Sequence, residues 1–239
     1  MKETKINVYS LRDKVMQEKP IIHHLTNWVT IYDCANIVKA LGASPVMAHA
    51  KEEVAEMASI ASSLVFNIGT LTHEFVDSMK IAAKSANKKG IPVILDVCGA
   101  GATKLRDKKS FELLDQTNIN VIKGNASEIA RISGELVETR GVDSGKVNKD
   151  MTKIALRLAR KRRCAVVVTG KSDIVTDGNK VYIVKNGHSM MTHVVGTGCM
   201  ATSVIGAFCA VERDYAYAAA CAGYYGNLSG QIRICYHRD

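Results

Sequence analysis

The chain's 239 residues, 47% of them hydrophobic, suffice for one large domain with a substantial core. Seven cysteines, odd in number and without a C-x-x-C pair, argue against a disulfide framework or a zinc or redox motif, and for a reducing compartment. The formal charge of +9 admits a nucleic acid, a membrane surface or an anionic substrate, but an aromatic content of 5% without an interleaved pattern argues against a stacking surface for single strands.

Residues 1–15 are charged and polar with no apolar h-region, so no secretory signal is read there and a cytoplasmic location is expected. His23 and His24 beside Thr26-Asn27, and His49 after Met47, fit no metal-binding spacing. Apolar runs of strand length follow at 45–48, 64–68, 92–95, 120–122 and 165–169, separated by segments of helical period at 52–61, 74–88 and 111–114. That alternation predicts parallel strands joined by helical crossovers. Runs at 174–176 and 181–184 flanking Asp177-Gly178-Asn179 predict an antiparallel hairpin at the sheet edge. The basic stretch at 157–163 closes an apparent helix from Lys149, where cations suit the helix C-terminus, and reads as a solvated face. The uncharged run at 194–211 approaches membrane-span length. Its Gly196, Gly198 and Gly206, with Thr197, Thr202 and Ser203, suit instead a helix buried against a sheet. A second apolar helix is predicted at 215–228, and no repeat or linker divides the chain.

In such α/β sheets ligands bind beyond the carboxyl ends of the strands, so the polar residues after each apolar run are the candidates for chemistry: Asn67 and Gly69, Asp96, and those at 123–128, 169–171 and 196–199. Gly196-Thr197-Gly198-Cys199 opens a long apolar helix, where free N–H donors can cradle an anion; the glycines also suit close helix-to-sheet contact alone. Asp96 ends an apolar strand before Gly99-Ala100-Gly101, a place for a Mg²⁺-binding carboxylate or for a simple turn. Asn125 and Glu128 have the spacing of a capping box; Glu128 could equally bring a second carboxylate to the same metal, with Lys123 as a phosphate-binding cation. Two near-matches fail. AVVVTGKS at 165–172 has Ala165 where a P-loop needs its first glycine, and Gly196-x-Gly198-x-x-Ala201 is followed by too little chain for a dinucleotide-binding βαβ unit.

Taken in order, Leu25-Thr26-Asn27, Ala43-Ser44-Pro45-Val46-Met47-Ala48-His49-Ala50, Asn67-Ile68-Gly69-Thr70-Leu71, Gly124-Asn125-Ala126-Ser127-Glu128-Ile129, Gly141-Val142-Asp143-Ser144 and Val195-Gly196-Thr197-Gly198-Cys199-Met200 resemble the hydroxyethylthiazole kinase family. The resemblance implies a ribokinase-like three-layer α/β/α domain with a mainly parallel central sheet and an edge hairpin. It implies ATP-dependent phosphorylation of the hydroxyl of 4-methyl-5-(2-hydroxyethyl)thiazole in thiamine biosynthesis or salvage, by a homotrimer with active sites at subunit interfaces. It assigns Met47, Gly196, Asn27 and Gly69 to the thiazole, and Lys123, Thr169, Asn125 and Gly198 to ATP. Asp96 and Glu128 go to Mg²⁺, and Cys199 takes the position where sugar kinases of the wider superfamily carry an Asp general base. No nucleic acid or membrane partner is expected.

Three departures accompany the match. Lys123 stands where many family members have Arg, no proline follows Asp96, and the sequence after Gly230 replaces a further apolar helical segment. Residues 1–239 are therefore read as one domain shortened at its C-terminus. The rival readings are a kinase of the same fold for a hydroxymethylpyrimidine, pyridoxal or a sugar, a thiol enzyme using Cys199 with His188 or His193 as base, and a basic nucleic acid binder. Met47 and Val46 favour a small aromatic ring over a polyhydroxylated sugar.

Overall fold

The structure, a computed structural model, describes residues 7–135, 150–185 and 187–236, with side chains as far as residue 225. The Gly141-Val142-Asp143-Ser144 segment, Lys149 and the side chains of the C-terminal tail lie outside the described residues. In chain order the elements are α1 (Val8–Glu18), β1 (Ile21–Leu25), α2 (Ile31–Ala40), β2 (Ser44–Val46), α3 (Val54–Ile60), β3 (Ser63–Asn67), α4 (His73–Lys89), β4 (Val93–Asp96) and α5 (Lys104–Gln116). They continue as β5 (Val121–Asn125), α6 (Ala126–Ile132), α7 (Met151–Arg162), β6 (Ala165–Thr169), β7 (Asp173–Thr176), β8 (Val181–Val184), a 3-10 turn (Ser189–His193), α8 (Thr197–Val211) and α9 (Tyr215–Tyr236).

The eight strands form one sheet in the order β2-β1-β3-β4-β5-β6-β7-β8. Pairing is parallel from β2 to β6 and antiparallel across β6-β7-β8, so the edge hairpin is where the sequence predicts it. Alternation along the strands divides the core into two layers. Leu64, Phe66, Leu95 and Ile122 face α3 to α7, whereas Val65, Ile94, Val121 and Val167 face α1, α2, α8 and α9. Helices on both faces explain why β3 and β4 are buried at every position.

Four elements exceed the sequence reading. α1 forms over residues read only as charged and polar, with Asn7 Oδ1 accepting from the Ser10 N–H at 3.2 Å. β1 carries His23 and His24, which interrupt its apolar run, although both are buried. α2 begins where Thr30 ends the loop after β1. α5 starts seven residues before the periodic segment at 111–114, because Thr103 caps it by accepting from the Arg106 N–H at 3.2 Å while its charged first turns face loops and neighbouring carboxylates. Among the described residues no helix is long and apolar enough to cross a membrane, in keeping with the reading of 194–211 as a helix against the sheet. There α8 lies so close to β3 that a Cβ on Gly206 would meet Val65 Cγ2 at 2.4 Å.

Candidate active site

Parallel register aligns the polar strand ends. Asn67 pairs with Asp96, Asp96 with Lys123, and Asn125 with Thr169, which makes a row across β3, β4, β5 and β6. Asp96 stands at its centre, 1% exposed. Its Oδ2 accepts from Thr202 Oγ1 at 2.7 Å, Asn67 Nδ2 at 2.9 Å and Lys123 Nζ at 3.0 Å. Its Oδ1 is buried without a hydrogen-bond partner. A carboxylate with one saturated oxygen and one orphan is an incomplete site, since a buried acceptor without a partner costs about 1–3 kcal/mol. Burial works against the Lys123 charge, but Asp96 and then Glu128 outweigh it and raise the Lys123 pKa, so the ammonium stays protonated.

The N-terminus of α8 faces this row. Gly196 has φ 87°, and a Cβ there would lie 2.3 Å from Thr30 Cγ2, so the helix can start against Thr30 only with glycine. No side chain caps the helix, and its first amides point toward the polar strand ends. A Cβ on Gly198 would come within 3.0 Å of Lys123 Nζ, which puts the ammonium directly over the glycine backbone. Cation and helix N-terminus together make a place for an anion.

Cys199 sits in the first turn of the same helix. Its Sγ accepts from Asn27 Nδ2 at 3.1 Å and Asn67 Nδ2 at 3.3 Å. A hydrogen bond from Cys98 is the largest influence lowering the Cys199 pKa; burial and Asp96 oppose it, and Lys123 assists. Cys98 moves the opposite way and remains a thiol.

Glu128 is tied to the backbone. Its Oε1 accepts from Gly99 N at 2.7 Å and its Oε2 from Asn125 N at 2.7 Å, while Asn125 Oδ1 accepts from Glu128 N at 2.9 Å. The capping box is thus present, and it fastens the loop after β4 to the start of α6. Burial and Asp96 raise the Glu128 pKa against Lys123 and the two amides. The loop after Asp96 lacks the proline expected there, yet Arg106 clamps it by donating to the carbonyls of Ile68 at 2.8 Å, Cys98 at 3.0 Å and Gly69 at 2.7 Å.

The structure therefore brings Asn27, Gly69, Asp96, Lys123, Gly196, Gly198 and Cys199 to one mouth. Asn125 and Thr169 lie on its β5–β6 side, where Thr169 Oγ1 donates to Gly124 O at 3.3 Å. Met47 follows edge strand β2, beyond β1; its carbonyl lies 3.3 Å from His49 Nδ1, and the His49 ring meets that of Trp28 with centroids 4.7 Å apart. Sequence reasoning marked Asn67 as a strand-end residue to inspect without giving it a role, and it missed Thr202 as a member of the site. The signal for Thr202 was a spacing of three residues from Cys199 on one helix face. His188 accepts from Met190 N at 3.2 Å, and the described contacts of Cys199 include no imidazole.

A mainly parallel sheet with a glycine-led helix closing over its carboxyl ends, a buried Asp-Lys pair and a thiol at that helix start define a small-molecule kinase of the ribokinase-like class. A ribokinase-like superfamily protein from Enterococcus faecalis V583, 15% identical, shares this fold with a TM-score of 0.63 over 93% of this chain and 87% of its own. The chain belongs to the hydroxyethylthiazole kinase family, whose model matches residues 12–234. It is 53% identical over 218 residues to the hydroxyethylthiazole kinase of Methanosarcina acetivorans, covering 91% of this chain and 84% of that one. The structure of the hydroxyethylthiazole kinase protein from Pyrococcus horikoshii OT3 is 38% identical and superposes with a TM-score of 0.81, over 90% of this chain and 80% of that one.

Proposed function

We propose that the protein transfers the γ-phosphoryl group of ATP to the hydroxyl of 4-methyl-5-(2-hydroxyethyl)thiazole, in thiamine biosynthesis or salvage. The observation that carries this reading is the shared polar network that links the Cys199 sulfur and the Asp96 carboxylate at an uncapped helix N-terminus. Lys123, Asn125, Thr169 and Gly198 form the nucleotide side of the mouth. Asn27, Gly69, Met47 and Gly196 form the thiazole side, with Cys199 and Asp96 between them.

The orphan Asp96 Oδ1, a hard carboxylate oxygen with no donor on it, fits a hard divalent cation, and Asp96 would hold Mg²⁺ through it. Glu128, its oxygens already bonded to two amides, would contribute through its charge and its hold on the Gly99 loop. When bound, the cation neutralises charge on the transferring phosphoryl group. The chain's own residues do the rest. As the thiolate, Cys199 takes the alcohol proton and becomes the thiol while the alcohol oxygen bonds to the γ-phosphorus, and ADP leaves with the electron pair of the broken P–O bond. Lys123 and the first amides of α8 stabilise the charge on the phosphoryl oxygens. A thiolate of lowered pKa is a modest base, so positioning and charge stabilisation carry most of the rate.

Cys199→Asp is expected to keep activity and Cys199→Ala to lower kcat at least about tenfold. Exposed Val29, Tyr32 and Val195, 68%, 76% and 72% exposed beside the site, support a homotrimer whose interfaces complete the thiazole pocket. A cytoplasmic enzyme without a nucleic acid or membrane partner is part of the same reading. The test is incubation with Mg-ATP and the thiazole alcohol, with mass spectrometry of the product. A thiazole phosphate supports the proposal, and unchanged alcohol in the presence of the folded protein refutes it.

A further inference from the structure

We propose that Asn67 is a positioning residue for the phosphoryl transfer, its carboxamide holding the Cys199 sulfur at a fixed place beside the Asp96 carboxylate. This rests on the kinase reading above. Asn67 closes β3 and is 1% exposed. The neighbours leave its amide one orientation. Its Oδ1 accepts from Gly69 N at 2.8 Å and from Asn27 Nδ2 at 3.1 Å, so Nδ2 faces the other way. There it donates to Asp96 Oδ2 at 2.9 Å and to Cys199 Sγ at 3.3 Å.

Asn27 is oriented by the same logic. Its Oδ1 accepts from Thr30 N at 3.2 Å and Thr30 Oγ1 at 3.1 Å, which turns Nδ2 toward Asn67 Oδ1 and Cys199 Sγ. Flipping Asn67 would set its oxygen against the carboxylate, and flipping Asn27 would set oxygen against oxygen. Donors therefore run in one direction, from Thr30 through Asn27 and Asn67, and end on the sulfur and the carboxylate. Two consequences follow for the reaction. The sulfur receives two N–H bonds from buried amides and is fixed relative to the substrate loop through Gly69. Asp96 Oδ2 is saturated, so its orphan Oδ1 is the oxygen left for the phosphate side. Among the described residues Asn67 is the one side chain bonded to Gly69, Cys199 and Asp96 together, and so it sets the spacing between the proton acceptor and the phosphate-organising carboxylate.

Steady-state kinetics of Asn67→Ala, alone and combined with Cys199→Ala, test the claim. Asn67→Ala is expected to lower kcat about tenfold with KM for both substrates within about twofold, and to cost about twofold or less once Cys199 is already Ala. Equal losses in the two backgrounds, or full activity of the single variant, would overturn it. If Asn67→Ala does not fold, Asn67→Ser takes its place in the same cycle. Iodoacetamide labelling of Cys199, followed by mass spectrometry at neutral pH, gives a readout that needs no substrate. With Asn67→Ser the labelling rate is expected to fall by about threefold, because one of the sulfur's donors, beside Asn27 and Cys98, is weakened; an unchanged rate overturns the proposal. Slowed labelling in a protein that leaves the thiazole alcohol untouched would defeat the kinase reading while upholding Asn67 as the residue that holds the sulfur.

Discussion

Single side chains in this site are held by geometry that allows few substitutes. Gly196→Ala would combine a left-handed backbone with a collision against Thr30, so a loss of roughly 2–4 kcal/mol is expected in a urea titration, together with loss of turnover. Lys123→Ala would strand the Asp96 charge in the interior, where breaking a buried pair costs about 3–5 kcal/mol; an unchanged unfolding midpoint would contradict that pairing. His24 carries the pH dependence that lies away from the mouth. It is buried, with Nε2 unpartnered, and burial pushes its pKa down to about 4 from 6.5. Between those values the unfolded chain binds more protons than the folded one. This contribution to stability is therefore complete above the unfolded value and fades as pH falls toward the folded one, by on the order of 3 kcal/mol. The check is the urea midpoint across this range, and His24→Gln is expected to flatten its slope.

Helices and strands were legible where periodicity was unbroken. β3, β4, β6 and the hairpin follow from apolar runs and a glycine turn, and α8 from its uncharged stretch. β1 was hidden because His23 and His24 look polar in sequence, whereas in the sheet His23 Nε2 reaches the Ala48 carbonyl, 2.8 Å away, and His24 Nδ1 the Ile22 carbonyl, 3.0 Å away. Of the site, strand-end position was enough to single out Asp96 and Lys123, but the bond from Thr202 to Asp96 spans 106 residues and leaves no local trace. Asn67 illustrates the same limit, since its neighbours become visible only when β1, β3, β4 and α8 are assembled. At this scale the contact of α8 with β3 is decisive. Gly206→Ala should push the helix off Val65 and cost about 1–3 kcal/mol, and because the helix carries Cys199, kcat should fall with stability. Normal stability and turnover in that variant would mean that the two elements can separate without consequence.

For the molecule as a whole, the proposed assignment sorts chemistry by position along the sheet's carboxyl edge, with the nucleotide side at β5–β6, the alcohol side at β1–β3 and Asp96 between them. The proposed trimer would cover the exposed apolar residues beside the alcohol side. Tyr32→Glu is accordingly expected to shift sedimentation toward smaller species and to make turnover depend on protein concentration; monodisperse trimer with native turnover would exclude Tyr32 from the interface. The most direct measurement is a competition in one vessel, with Mg-ATP and equal amounts of the hydroxyethylthiazole, a hydroxymethylpyrimidine, pyridoxal and ribose, followed by mass spectrometry of the phosphomonoesters over time. Early and preferential accumulation of the thiazole phosphate is the expected result. Preferential phosphorylation of any other alcohol would contradict the assignment of Met47, Asn27 and Gly69 to a thiazole pocket while leaving the kinase fold intact.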